Sequence, residues 1–254
     1  MAIVSDEQVI KVLRQYNPWW RLPSAIKEET KPQKRLAYYE ALKIMNHKTI
    51  RRFAVLSGGR RVGKTTILYQ MIENLIDEGI NPKNILYATF DNPILKLVSV
   101  EVVLSIYESL YPIEGTRYLF FDEIQYTDQW ELWMKVMYDS RKDIRMAATG
   151  SASPILEKGT ADSGTGRWSV LKIPTLSFYE YCRLLGLEEP ELPEAPQLSK
   201  LTDMSNAQLG DLMDRFAPLQ NQFNRYLMIG GFPELVLSDD DVYAQRMLRE
   251  DVVD

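Results

Sequence analysis

Two short segments of the sequence carry side chains suited to phosphate chemistry. The first is a glycine-rich run that matches the Walker A pattern of a phosphate-binding loop. It consists of Gly58, Gly59, Arg60, Arg61, Val62, Gly63, Lys64 and Thr65, with Thr66 directly after it. Glycines let backbone N–H groups approach phosphate oxygens, and the lysine places a positive charge, with a catalytic role, on the β and γ phosphates. The Thr65 hydroxyl is suited to complete the shell of a magnesium ion. We therefore predict that these residues bind a nucleotide.

The second segment is an acidic pair. Asp122 and Glu123 directly follow the apolar run 118–121, as in the Walker B arrangement. Asp122 is expected to hold magnesium, and Glu123 to polarise the water that attacks the γ phosphate. A solvated acidic turn is the alternative, but the phosphate loop upstream favours the catalytic interpretation. An Asn-Lys-x-Asp guanine motif is absent from the sequence, so we expect ATP and Mg²⁺ as cofactors.

The elements that must position these segments follow from the apolar pattern. Short β-branched and aromatic runs alternate with segments of helical apolar spacing, which predicts a parallel sheet covered by helices. Strands are expected at 53–56, 85–90, 118–121, 144–149 and 168–173. The segment 64–78 has one apolar face and is followed by Gly79, so it is expected to be the helix after the phosphate loop. Both motifs then lie where parallel sheets bind ligands, at the carboxyl ends of strands.

Composition excludes several other kinds of site. The single cysteine, Cys182, excludes an internal disulfide and a cysteine metal cluster, and the single histidine, His47, argues against histidine-based chemistry. No apolar run reaches the about 18 residues of a membrane span, and Asp6 and Glu7 interrupt the N-terminus before a secretory segment could form. We therefore expect a cytoplasmic protein without a membrane partner.

Charge gives no general reason to expect a nucleic-acid partner, because the net charge of the 254 residues is -5. A local basic cluster is formed by Arg51, Arg52, Arg60 and Arg61. Because these residues flank the phosphate loop, we expect nucleotide rather than DNA to explain them.

The sequence resembles the AAA+ superfamily. It is more closely similar to prokaryotic AAA-type ATPases that carry a C-terminal, often nuclease-like domain of unknown function. Two of the similar segments are superfamily-wide, namely 58–66 and Phe-Asp-Glu-Ile-Gln at 121–125. The others are Phe-Asp-Asn-Pro at 90–93, Thr-Gly-Ser at 149–151, Gly-Arg at 166–167, Ser-Phe-Tyr-Glu-Tyr at 177–181 and Gly-Gly-Phe-Pro-Glu at 230–234. We expect the usual C-terminal domain to be missing or barely begun in this sequence, which argues against nuclease-like or DNA-directed activity of this chain.

The resemblance implies an α/β fold of the P-loop NTPase type, a three-layer sandwich with a parallel five-stranded sheet ordered 5-1-4-3-2. Strand four would then lie between the two Walker strands, with a polar sensor at its end. Thr149 and Ser151 are both compatible with that role. The alternative is that Thr, Gly and Ser form a simple turn there. Asp91 and Asn92 at the end of strand two could hold Glu123 inactive, or form an ordinary turn.

Arg167 is the remaining catalytic candidate. The resemblance implies an arginine near the end of the fold that neutralises transition-state charge, commonly from a neighbouring subunit. A structural salt bridge explains Arg167 equally well, and the sequence does not choose between action in cis, in trans or on structure.

Four regions are expected along the chain. They are an N-terminal helical extension at 1–49, an AAA+ core at 50–185, a linker or loop at 186–203, and a small helical subdomain at 204–254, either a helical lid or the start of a C-terminal domain. In the last region Pro218 is expected to break a helix. The charged amphipathic end at Asp254 is expected of a fragment of a longer protein.

The leading functional hypothesis is Mg-dependent ATP hydrolysis coupled to a conformational change. One alternative is a nucleotide-controlled switch with little turnover, which binds ATP and ADP and signals to a protein partner. Another is a DNA-associated ATPase. Self-association is compatible with all three, and the client is not identified by the sequence.

Overall fold

The computed structural model describes residues 4–111, 114–151, 166–188 and 201–252. It divides the chain into two compact units, Met1–Pro174 and Thr175–Asp254. The boundaries differ from those expected, because the extension at 1–49 belongs to the first unit and the end of the expected core, 175–185, belongs to the second. Most of the expected linker at 186–203 lies outside the described residues.

The first unit is built on a parallel sheet. Its five strands are β1 (Phe53–Gly58), β2 (Ile85–Thr89), β3 (Arg117–Asp122), β4 (Ile144–Gly150) and β5 (Trp168–Ile173). They are ordered β2-β3-β4-β1-β5, with every neighbouring pair parallel and helices on both sides of the sheet. This confirms the predicted P-loop NTPase fold, including the strand order 5-1-4-3-2 that the resemblance implied.

The helices of the first unit are α1 (Asp6–Tyr16), α2 (Leu36–Met45), α3 (Lys64–Asp77), α4 (Val100–Leu110) and α5 (Trp130–Ser140). Each buries an apolar face, while all six residues of β1 and all five of β2 are buried. Continuous apolar strands and one-sided helices are the combination that a covered parallel sheet requires. In the described part of the chain, no helix has both the length and the apolar character needed to cross a bilayer.

The N-terminal extension closes one edge of this sheet. Asn17 pairs with the backbone of the edge strand β2: its Oδ1 accepts from the Tyr87 N–H at 2.7 Å, and its Nδ2 donates to the Tyr87 carbonyl at 2.8 Å. The indole N–H of Trp20 donates to the Ile85 carbonyl at 2.7 Å. An uncovered edge strand would present unpaired backbone groups. The extension therefore supplies hydrogen-bond partners to outer backbone groups of Tyr87 and Ile85 on β2.

The second unit is helical and contains α6 (Phe178–Leu184), α7 (Asn206–Ile229), α8 (Pro233–Val236) and α9 (Asp241–Val252). The expected break at Pro218 is wrong, because α7 continues through this residue. Proline removes one hydrogen bond to the carbonyl four residues earlier, but Asp214 and Pro218 are both exposed, so water can satisfy that carbonyl. Position 231 requires glycine for packing, because a Cβ there would lie 2.4 Å from the Leu176 carbonyl oxygen.

Candidate functional site

The phosphate loop connects β1 to α3, and two of its glycines are required by geometry. A Cβ on Gly58 would lie 2.4 Å from the Ile173 carbonyl oxygen on β5, so only glycine lets the two strands approach there. Gly63 has φ 90°, in the left-handed region, directly before the first residue of α3. The loop thus delivers the N-terminus of α3, with its free N–H groups and positive dipole end, to the carboxyl edge of the sheet.

The other loop residues differ in exposure. Gly59, Arg60 and Arg61 are exposed, and Arg61 adopts φ 62°. Val62 is buried, and Thr66 is half-buried in the first turn of α3. The exposed members leave the outer side of the loop open.

Lys64 is buried and turned back toward the loop. Its ammonium donates to the carbonyls of Gly58 at 3.0 Å and Gly59 at 2.7 Å. Burial lowers the pKa of Lys64, while the nearby carboxylates of Glu123 and Asp122 act in the opposite direction. A phosphate bound in the loop would compete with the two carbonyls for this positive charge.

Asp122 is where three hydroxyl groups converge. Its Oδ2 accepts from Thr65 at 2.8 Å and from Tyr87 at 2.9 Å, and its Oδ1 accepts from Thr149. The carboxylate is 4% exposed. Burial raises the pKa of Asp122, and the hydrogen bonds from Thr149, Thr65 and Tyr87 oppose that rise. The phosphate loop, β2 and β4 therefore meet at one carboxylate of β3.

Thr149 also fixes the backbone of Glu123, the residue that follows Asp122. The N–H of Glu123 donates to Thr149 Oγ1 at 3.1 Å, and Glu123 adopts φ 50° in the turn after β3. Thr149 is fully buried. Of the two sensor candidates, Thr149 is thus the one in direct contact with both acidic residues.

The Glu123 side chain is held by Gln125. Gln125 Nε2 donates to Glu123 Oε2 at 2.5 Å and to Ser151 Oγ at 3.4 Å. Among the hydrogen bonds found in the described residues, Ser151 reaches Glu123 only through this amide.

Asp91 and Asn92 make local contacts instead. Asp91 Oδ1 accepts from the Thr89 hydroxyl at 2.6 Å, and Asn92 Oδ1 accepts from the N–H of Ile94 at 2.9 Å. The structure therefore supports the ordinary turn, and the contact expected from these two residues to Glu123 is made by Gln125.

Arg167 does not join the site. It precedes β5, and its carbonyl accepts from the N–H of Phe53 at the start of β1, so it lies at the amino edge of the sheet. The register pairs Phe53 with Trp168 and Gly58 with Ile173. Six residue steps of about 3.3 Å each, from Arg167 to Ile173 beside Gly58, separate Arg167 from the start of the phosphate loop by about 20 Å. Arg167 therefore cannot act on a nucleotide bound by its own chain.

Two of the four clustered arginines also lie at that amino edge. Arg51 donates to the carbonyls of Arg141 and Tyr138, and Arg52 donates to Ser169 Oγ at 3.4 Å. The expectation that all four serve the nucleotide is wrong for these two, because the six residues of β1 carry the chain from one edge of the sheet to the other.

Three residues near the site were missed by the sequence reasoning. Tyr87 entered the sequence prediction only as part of the strand 85–90. The signal that could have identified it is that a buried phenol needs a hydrogen-bond partner. Gln125 ends the segment 121–125, in which the motif assigns roles only to the two acidic residues. Arg35 donates to the Val62 carbonyl at 2.7 Å and to the Pro174 carbonyl at 2.9 Å, and nothing in the local sequence pointed to this contact.

The arrangement fits a nucleotide with magnesium. Thr65 and Asp122 present adjacent oxygen atoms, which is the donor chemistry that Mg²⁺ prefers, with water and phosphate oxygens completing its shell. The described residues contain no cluster of three or more His, Cys, Asp or Glu that could enclose a metal alone. A magnesium ion here would take the rest of its coordination from water and phosphate oxygens.

Comparisons with curated proteins give relatives of greater length. The chain is 28% identical over 196 residues to the uncharacterized protein MJ1544 of Methanocaldococcus jannaschii, covering 77% of this chain and 39% of that protein. It is 28% identical over 189 residues to an uncharacterized protein of Haemophilus influenzae, covering 73% and 40%. The chain thus spans about two fifths of the length of these relatives.

Solved structures show distant likenesses. The Aeropyrum pernix ORC2 protein in ADPNP-ADP complexes is 15% identical with a TM-score of 0.45, covering 87% of this chain and 69% of that one. A point mutant of RuvB from Thermotoga maritima is 17% identical with a TM-score of 0.40, covering 64% and 49%. These values do not bear on function.

A family profile gives the assignment. The profile described as "AAA domain" matches residues 51–182, which is just over half of the chain. The match runs from the residues before β1 into α6 and includes the phosphate loop and the acidic pair. The chain therefore belongs to the AAA domain family and is a nucleotide-binding protein of the P-loop ATPase type.

Proposed function

We propose that this chain hydrolyses ATP with the help of magnesium and couples hydrolysis to a change of conformation. The observation that carries the proposal is the convergence on Asp122, where the loop hydroxyl of Thr65 and the β4 hydroxyl of Thr149 share one buried carboxylate. A loop that only bound phosphate would not need an adjacent glutamate with its backbone fixed by the same threonine.

The residues of the site divide the work. Lys64 and the N–H groups at the start of α3 bind the phosphates, and Thr65 with Asp122 holds magnesium. Magnesium bound there would supply positive charge to the phosphate oxygens. Glu123 accepts the proton of the attacking water on the carboxylate oxygen that Gln125 does not hold. Thr149 keeps Asp122 and Glu123 in register with each other.

A nucleotide-controlled switch is the second candidate. Lys64 is tied to carbonyls of its own loop, and Glu123 is tied to Gln125. These contacts fit a resting form that binds nucleotide and turns over only after a protein partner or a second copy rearranges the site. A DNA-associated ATPase is the third candidate, for which the net charge of -5 offers no support.

Phosphate release and equilibrium ATP binding separate these functions. They should be measured on the 254-residue chain with ATP or GTP, with and without Mg²⁺ and DNA, across protein concentrations with mass determined by light scattering. We expect Mg-dependent turnover with a preference for ATP. Tight binding without turnover would support the switch, and DNA stimulation that weakens steeply with salt would support the third candidate.

Variants assign the roles. Glu123→Gln should bind ATP as the parent does but hydrolyse it at least about 100-fold more slowly, because only the proton acceptor is lost. Lys64→Ala should lose binding itself. Glu40→Gln, at an exposed position of α2, is the matched control and should behave as the parent. Parent-like hydrolysis by Glu123→Gln would remove Glu123 from the mechanism.

A further inference from the structure

Among the described residues, Tyr87 gives Asp122 a hydrogen bond from outside the phosphate loop and the predicted sensor segment. Tyr87 lies in β2, and its hydroxyl donates to Asp122 Oδ2 at 2.9 Å. Thr65 binds the same oxygen at 2.8 Å, whereas Thr149 binds Oδ1. A magnesium ion held by Thr65 and Asp122 would be coordinated by Asp122 Oδ2, the oxygen that accepts from Thr65 and Tyr87. Within the ranges that the structure describes, Tyr87 is thus the donor to this oxygen that belongs neither to the phosphate loop nor to β4.

Tyr87 is itself held on its backbone and on its ring. Asn17, which is 1% exposed, bonds both its N–H and its carbonyl, at 2.7 and 2.8 Å. The side chain of Asn17 also donates to the Leu13 carbonyl of α1 at 2.7 Å. The ring of Tyr69 on α3 stacks on the Tyr87 ring, with centroids 4.8 Å apart and planes at 29°. The phenol therefore has little freedom to leave Asp122.

We propose that Tyr87 is a positioning residue for the magnesium-binding carboxylate, held in place by Asn17 of the N-terminal extension. The proposal rests on the proposed function for magnesium. Partners that orient a metal ligand are typically responsible for about 10- to 100-fold in metal affinity. Without the phenol, the hydrogen bonds found in the described part of the chain would leave Oδ2 of Asp122 with Thr65, a residue that magnesium would also engage.

Tyr87→Phe tests this with a small change, because it removes the hydroxyl and keeps the ring that stacks on Tyr69. The matched control is Tyr107→Phe, another buried tyrosine, whose hydroxyl donates to the Lys83 carbonyl at 2.6 Å away from the site. Nucleotide affinity should be titrated with Mg²⁺, and in parallel with Mn²⁺. We expect the half-saturating metal concentration of Tyr87→Phe to rise about 10-fold or more, with unchanged affinity in the absence of metal.

The control should keep the metal midpoint of the parent, which separates positioning from general loss of stability. If the parent responds to metal and Tyr87→Phe has the same midpoint as Tyr107→Phe, the positioning role is overturned while the proposed function stands. If nucleotide binding by the parent ignores both metals, the magnesium part of the proposed function fails, and this proposal fails with it.

A second variant, Tyr69→Leu, tests the same proposal if Tyr87→Phe does not fold. Tyr69→Leu leaves the Tyr87 phenol in place but removes the ring that stacks on it. We expect its metal midpoint to shift in the same direction by a smaller factor. An unshifted midpoint in a folded Tyr69→Leu protein would count against the proposal.

Discussion

Arg167 forms a two-point ion pair with Asp139, with Nε 3.0 Å from Oδ1 and Nη2 3.0 Å from Oδ2. This contact lies at the amino edge of the sheet, away from the phosphate loop at the carboxyl edge. A catalytic role for Arg167 therefore requires a nucleotide bound by another copy of the chain. In that role, the ion pair would orient the guanidinium toward the other copy. The alternative is that the Arg167–Asp139 pair only stabilises the fold.

Complementation between inactive variants tests the role in a neighbouring subunit. Arg167→Ala should bind ATP normally, because no loop contact is lost, but should not turn it over. Lys64→Ala should lack its own nucleotide site yet still supply an arginine. Mixing the two should restore part of the phosphate release if Arg167 acts across subunits. Arg52→Ala, on the same edge, is the control and should remain active, whereas parent-like turnover by Arg167→Ala would contradict the proposal.

The position of Arg167 shows what the sequence could and could not supply. The strand order implied by the resemblance and the two motifs were sufficient to expect Thr149 or Ser151 at the edge that carries Asp122, because residues at the ends of parallel strands meet at one edge. The choice of Thr149 came from the structure. The same rule places a residue that precedes a strand at the opposite edge, and Arg167 precedes β5. The predicted strand at 168–173 therefore already indicated that Arg167 lies at the amino edge.

Tyr87 and Gln125 illustrate a different limit. Their roles depend on which buried acceptor lies opposite a side chain, and neither strand periodicity nor a local motif gives that partner. Tyr87 reaches across from β2 to β3, and Gln125 folds back on Glu123 from the turn after β3. Such contacts are decided by packing in three dimensions, and they became visible only in the structure.

Gln125→Ala should lower kcat for ATP about 10-fold or more and leave KM nearly unchanged. The amide that orients Glu123 is lost, while the phosphate contacts of Lys64 and Thr65 stay in place. Steady-state phosphate release measures both constants. Gln220→Ala, at an exposed position of α7, is the control. A faster rate for Gln125→Ala would show that the amide restrains Glu123, which contradicts a positioning role.

Asn17→Ala should destabilise the first unit by about 2 to 4 kcal/mol, because a backbone N–H and a carbonyl of Tyr87 lose their partners at a buried edge. Urea unfolding followed by tryptophan fluorescence would measure the free energy of unfolding. Asn46→Ala, at the exposed end of α2, should change stability by less than about 0.5 kcal/mol. Equal losses in the two variants would mean that water replaces Asn17 at the edge.

An ion-pair network beside β3 and β4 predicts a pH effect on stability. Arg141 donates to both Asp143 oxygens, at 3.1 and 3.0 Å, and to Glu108 Oε1 at 2.6 Å. The hydrogen bond from Arg141 lowers the pKa of Asp143, with partial burial acting against it and the charges of Arg141 and Arg117 adding to it.

The sign of the effect follows from the lowered pKa of Asp143. The folded protein binds this proton less readily than the unfolded chain, so the stabilisation is complete above the unfolded pKa, about 3.9. It is lost as pH falls through the lower pKa of the folded state. Because the Asp143 side chain is 34% exposed, we expect the network to contribute only about 0.5 to 1 kcal/mol at neutral pH.

Asp143→Asn removes the titrating group and should reduce the melting temperature most at neutral pH. As pH falls below about 4, the difference between Asp143→Asn and the parent should shrink, since the parent also loses the ionised carboxylate. Asp214→Asn, at an exposed position of α7, is the control. Scanning calorimetry from pH 7 to pH 3 would measure the difference, and a gap that widens toward low pH would contradict the predicted sign, because the Asp143 carboxylate would then stabilise the fold more when protonated than when ionised.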